Sequence, residues 1–120
     1  MQYFDHEKLD VYQVAIKWVI LSEKIILQLP RGRGYLVDQL QRASTSIPFN
    51  IAEGAGEYAH QEKNRFYRIA KRSTTERAGI LDVCYQLQLL EEPLFQEGRQ
   101  LLLRMVAMLI KLVRKNCDTV

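Results

Sequence analysis

Residues 39–56 read QLQRASTSIPFNIAEGAG. Leu40, Ala43, Ile47 and Ile51 recur at three and four residues, which sets them on one helical face, and Leu36 extends that face upstream. A helix from about Tyr35 to Ala55 is therefore expected. Pro48 falls inside the pattern. It has no backbone N–H and its ring collides with the preceding turn, so a kink is expected between Ser44 and Pro48, with a broken helix as the rival reading. Gly54 and Gly56 supply a C-terminal stop.

The same punctuation divides the rest of the chain. Upstream, Leu9, Tyr12, Ala15/Ile16, Val19/Ile20 and Ile26 keep a helical period from about Lys8 to Leu29, and Pro30, Gly32 and Gly34 end it in a turn. Downstream, a third segment runs from about His60 to Leu90. A heptad frame starting at Phe66 gives the seam Phe66, Ile69, Ser73, Glu76, Ile80, Val83, Leu87 and Leu90, apolar at both ends and polar in the middle. Glu91, Glu92 and Pro93 mark the next boundary. The fourth segment, about Pro93 to Asn116, is apolar around most of its circumference, from Leu101 to Val113. A helix apolar on most sides is buried on most sides, so this one is expected to pack on its own bundle and on a second copy of the chain.

Four long amphipathic segments with short connections, and no alternating β-branched run, predict an all-α, antiparallel up-down four-helix bundle in a single domain over residues 1–120. The composition agrees: of 120 residues, 48% are hydrophobic and 26% charged, enough to build one core. Two cysteines without metal spacing fit a reducing, cytoplasmic setting. No leader peptide is visible, and no apolar run reaches the length of a membrane span. The net charge of +3 permits an anionic partner without demanding one.

On the second segment Gln39, Arg42, Ser46, Asn50 and Glu53 share a narrow arc beside the apolar face. Opposite an antiparallel third segment they would meet Ser73 and Glu76. Arg42 with Glu76 or Glu53 makes a natural ion pair, and Asn50 with Ser73 a natural hydrogen bond. Three readings stay open: a structural network that sets register, the lining of a ligand or partner groove, or a solvated stripe.

These residues carry a resemblance. Residues 39–56 resemble the signature of the 23S rRNA intervening-sequence protein family, also called the four-helix-bundle or S23-type family. Its pattern is similar to Q-x-x-R-A-x-x-S-I-x-x-N-I-A-E-G-x-G, matched here by Gln39, Arg42, Ala43, Ser46, Ile47, Asn50, Ile51, Ala52, Glu53, Gly54 and Gly56. A second block resembles F-x-x-x-A-x-G-S-x-x-E through Phe66, Ala70, Ser73 and Glu76, and residues 9–15 resemble the family's opening. The similarity covers roughly residues 4–90, and residues 93–120 show no legible signature. Glu57 stands where the family often has a basic residue, and Arg72 where it favours glycine. The resemblance implies an antiparallel four-helix bundle assembling as a ring-like homopentamer, no enzymatic activity, and an association with RNA. A related branch implies a different partner, the reverse transcriptase of a diversity-generating retroelement, for which the protein would be an accessory adaptor.

Two basic stripes suit a phosphate backbone. Arg65, Arg68 and Arg72 fall at i, i+3 and i+7 of the third segment, flanked by Lys71 and by Tyr67, a candidate for base stacking. Arg104, Lys111 and Lys115 align on the fourth, beside Arg114. The plainer reading of each is the solvated face of a bundle helix. Catalytic signatures are missing: there is no Walker loop, no GxGxxG after a strand and no HExxH. His6 and His60 are isolated, Cys84 reads as core, and Arg42 would neutralise a Glu53/Glu76 carboxylate pair. The expectation is a non-enzymatic oligomer with no metal and no cofactor. Its partners would be further copies of itself and RNA, or a protein in the adaptor reading, with no membrane.

Overall fold

A computed structural model describes residues 2–118, with the side chains of Ala43 and Asp118 outside the description. After a single 3₁₀ turn at Asp5–Lys8, the chain forms α1 (Asp10–Gln28), α2 (Gly34–Ser44), α3 (Ser46–Gly56), α4 (His60–Gln86) and α5 (Glu92–Asp118). Among the described residues all regular structure is helical. α2 and α3 together form one leg of a four-legged bundle. The leg is broken at Thr45, so the rival reading of that segment is the one the chain adopts. Pro48 has no N–H to donate to the Ser44 carbonyl, and the Ser44 hydroxyl donates to the Leu40 carbonyl one turn back. Pro48 becomes the third residue of α3, where a backbone donor has no intrahelical acceptor in any case.

Neighbouring legs run antiparallel. The start of α4 binds the end of α5, where Asn64 Nδ2 donates to the Val113 carbonyl at 3.2 Å. It also binds the end of α3, where Lys63 Nζ donates to the Ala55 carbonyl at 2.9 Å and covers the helix's last carbonyls. α1 packs against α5 and against α2 and α3, completing the square.

The core is one cluster around Trp18, Ile25, Leu40, Ile47, Ile51, Leu81, Leu102, Met105 and Leu109. Two helix faces differ from expectation. On α1 the buried stripe is Val11, Val14, Ala15, Trp18, Leu21 and Ile25, while Ile20 is exposed. On α4 it is Tyr67, Ala70, Thr74, Arg77, Ile80, Leu81 and Cys84, mostly one residue on from the heptad frame that begins at Phe66, of whose positions Ile80 and, past the helix end, Leu90 are buried. Val83 and Leu87, placed on the seam by that frame, are exposed, and Cys84 is in the core as expected. α5 buries Phe95, Gly98, Leu102, Met105 and Leu109 against its own bundle and leaves Leu103 56% exposed.

α4 also stops earlier than Leu90. The Leu89 N–H donates to the Cys84 carbonyl at 2.9 Å and the Gln88 N–H to the Tyr85 carbonyl at 3.0 Å. That pair of bonds is a Schellman cap, and it puts Gln88 at φ 61°, a left-handed conformation usually taken by glycine.

Close packing of α3 on α4 depends on Gly54. A Cβ there would stand 2.7 Å from Cε1 and 2.9 Å from Cδ1 of the buried Tyr67 ring, and 3.1 Å from the Lys63 carbonyl oxygen. The exposed Gly79, on α4, has nothing within 4 Å of its would-be Cβ. Opposite effects of one substitution are expected. Gly54→Ala should lose about 1–3 kcal/mol of unfolding free energy through overpacking. Gly79→Ala should gain about 0.5–1 kcal/mol through helix propensity. Urea denaturation of the two variants checks this, and equal effects would refute the close crossing.

Candidate nucleic-acid interface

The end of the bundle where α4 begins and α5 finishes is clamped by polar contacts. Besides its bond to Val113, Asn64 Nδ2 lies 3.5 Å from Cys117 Sγ, and Asn116 Nδ2 donates to Asn64 Oδ1 at 2.8 Å. Asn64 is 4% exposed, so these bonds form where water does not compete well. The clamp sets the register of the two helices beyond it.

That register brings Arg68, Lys71 and Arg72 of α4 beside Ile110, Val113 and Arg114 of α5, around a groove of about 490 Å³. Thr75 completes the lining, its hydroxyl donating to the Lys71 carbonyl at 3.1 Å. Among the described residues no acid lines this groove. All four cations are exposed. Arg68 and Arg72 stand at i and i+4, where like charges repel by a few tenths of a kcal/mol, about 0.2–0.5. An anion seated among them removes that cost.

A second groove, about 790 Å³, opens on the other side of α5 between Lys8 and Asp10 near the start of α1 and Lys111, Arg114 and Lys115. Arg114 lines both grooves, so the two stripes join into one surface around the end of the bundle. Sequence reading had Arg114 only as a neighbour and Lys8 not at all. Their part in the surface depends on which helix ends adjoin, which no local pattern carries.

Two residues of the stripes stand apart. Arg65 Nε is 3.2 Å from Glu62 Oε2, and its guanidinium sits 4.4 Å from the centre of the Phe66 ring, so its charge is partly engaged. Arg104 is exposed on α5, two turns before Lys111, and lines neither groove. Tyr67 is unavailable for base stacking. It is 3% exposed, its ring packed under α3 at Gly54.

The polar stripe divides into separate parts. Ser46 and Ser73 do meet, Oγ to Oγ at 3.1 Å, tying α3 to α4. Asn50 does not reach Ser73. Its Nδ2 donates to the Ser46 carbonyl, one turn back on its own helix, at 2.7 Å. Glu53 is exposed. Gln39, Arg42 and Glu76 line a groove between α2 and α4, but the partner of Glu76 is Arg77 rather than Arg42, with Nη1 to Oε2 at 3.0 Å. Arg77 is buried in the core seam. Sequence reading missed it because the heptad frame set it one position off the interface.

The fold and its surface define a class: a helical bundle with an exposed cationic end and several open grooves. The family model of the 23S rRNA-intervening sequence protein matches residues 7–111, and the chain belongs to that family. The match continues well past Leu90 into α5, where no signature was legible. No curated protein matches the chain. None of the described helices is long and apolar enough to cross a membrane.

Burial of Tyr67 also has a pH signature. Desolvation, and to a lesser degree the charge of Asp5, raise its phenol above the ordinary value of 10.0. The folded state therefore holds this proton more tightly than the unfolded chain. Stability from this group is complete below the unfolded value and is lost as pH rises through the folded one. Urea midpoints should fall above about pH 10, and Tyr67→Phe should flatten that fall. An identical alkaline slope in the variant would assign it to other groups.

Proposed function

We propose that the protein is a non-catalytic, cytoplasmic homo-oligomer that holds structured RNA by its phosphates at the α4–α5 end of the bundle. The observation that carries this reading is the groove of Arg68, Lys71, Arg72 and Arg114, lined by no acid among the described residues and continuous through Arg114 with Lys111 and Lys115. The family's description ties it to intervening sequences of 23S rRNA, which makes that RNA the first ligand to try. Phosphate contacts release counterions, so affinity should fall steeply with salt, by about 0.7–0.9 log units per log unit of salt for each phosphate neutralised.

The test is binding of a structured 23S rRNA fragment across a salt series. The Arg68→Ala/Lys71→Ala/Arg72→Ala/Arg114→Ala variant should lose at least tenfold in affinity and flatten the slope. Arg65→Ala should change little, because Glu62 already engages that side chain. Binding that ignores both variants would remove this groove as the RNA surface. No binding at all would favour the second reading, a protein–protein adaptor such as a reverse-transcriptase accessory subunit. The exposed aromatic rings of Phe49 and Tyr58 support that alternative.

Self-association, as the ring of five that the resemblance implies, draws on α5. Its flank keeps Leu103 exposed and Val106 and Ile110 half-buried, an apolar strip beside the basic surface. Repetition around a ring would turn weak phosphate contacts into avidity. Leu103→Glu should lower the solution mass toward the 14.0 kDa of one chain while leaving helicity unchanged. Leu109→Glu should instead unfold the protein, since Leu109 is 0% exposed within its own bundle. An unchanged mass for Leu103→Glu in light scattering would exclude this flank as the interface.

A further inference from the structure

The groove between α2 and the second half of α4 has chemistry that RNA binding does not use. Arg77 projects from α4 with a side chain only 3% exposed. Among the described residues its ion partner is Glu76, whose side chain is 65% exposed and so keeps most of its charge in water. Arg77 Nε is buried and has no acceptor among the described residues. A guanidinium presents five donors in a planar fork, and burial without acceptors is costly, so this one is left incompletely satisfied.

Around it lies a groove of about 490 Å³, within the size range of small-molecule sites. Its polar wall adds Gln39 and Arg42 from α2. Its apolar wall is Leu36, Ile80 and Val83. At Gly79 the wall is bare backbone, with nothing within 4 Å of where a Cβ would stand. Two guanidinium groups against one carboxylate leave a single positive charge in excess. That excess suits a monoanion, whereas the Glu76 carboxylate would repel the second charge of a phosphate. The planar fork matches a carboxylate, and the aliphatic wall suits a hydrocarbon body.

We propose that this groove binds a small carboxylic acid with a short aliphatic chain. The carboxylate lies between the Arg77 and Arg42 guanidinium groups with the Gln39 amide beside it, and the chain lies along Leu36, Ile80 and Val83 over Gly79. The site is separate from the α4–α5 groove and does not depend on the RNA reading.

The test follows the side-chain Nε–Hε resonance of Arg77 by NMR, assigned by its absence in Arg77→Lys. The probes are hexanoate, acetate and inorganic phosphate at matched ionic strength. Hexanoate should shift the resonance saturably, at least tenfold more tightly than acetate, and phosphate should give no saturable shift. Gly79→Leu fills the floor without touching a guanidinium. It should weaken hexanoate at least tenfold while the protein stays folded and binds RNA as before. The proposal is overturned if hexanoate gives no saturable shift, or if Gly79→Leu binds it unchanged. It is also overturned if the resonance moves on dilution of the protein alone, which would assign the acceptor to a second copy of the chain.

Discussion

The Tyr67 ring occupies the space where any residue but glycine at position 54 would put its Cβ. This crossing holds α3 close to α4 near the start of a 27-residue rod. Lys63 and Asn64, on the same turn, bind the ends of α3 and α5. With both neighbours held at one end, α4 has one permitted rotation about its axis. The side chains along it are then assigned: Ala70, Thr74, Leu81 and Cys84 inward, Arg77 from the core seam to the edge of the α2 groove, Arg68, Lys71 and Arg72 toward the α5 groove, and Glu76, Gly79 and Val83 toward the α2 groove.

Stability is conceded at identifiable places. Trp18 Nε1 and Arg77 Nε are both buried without an acceptor among the described residues. Gln88 takes a backbone conformation better suited to glycine. Arg68 and Arg72 stand within repulsive reach of each other along α4. The first and third concessions belong to different parts of the molecule: Trp18 is central to the core, whereas the arginines are exposed and open to a ligand. A guanidinium in the core seam is harder to justify on packing grounds than an indole, whose body is apolar. That contrast directs attention to the α2–α4 groove as well as to the basic end.

Tyr67 shows how one contact bears on several properties. In sequence it sits among basic residues and reads as a stacking platform. In the fold its burial removes it from solvent, raises its phenol above the ordinary range and makes it the element against which α3 is pressed. Any contact with RNA at this end is therefore made by cations on mobile aliphatic stems rather than by an aromatic face. Such contacts are shape-tolerant and salt-sensitive.

The helices, their order and their boundaries within a few residues were legible in the sequence, because local chemistry sets them. Pro48 interrupts backbone pairing wherever it stands, Pro30 and Gly32 turn the chain, and a period of three and four needs no partner to be recognised. The family signature was legible for the same reason, as a string of local matches over residues 39–56. Rotation of α4 was not legible. Frames starting at Phe66 and at Tyr67 both mix apolar and polar residues, and a shift of one residue turns a helix by about 100°. Only contact with α3 and α5 chooses between them. The chain by itself thus determined four amphipathic legs and a surplus of cations. The tertiary structure decided which cations share a groove and which arginine is buried, because adjacency of helix ends and the rotation of a rod are properties of packing and not of any one segment.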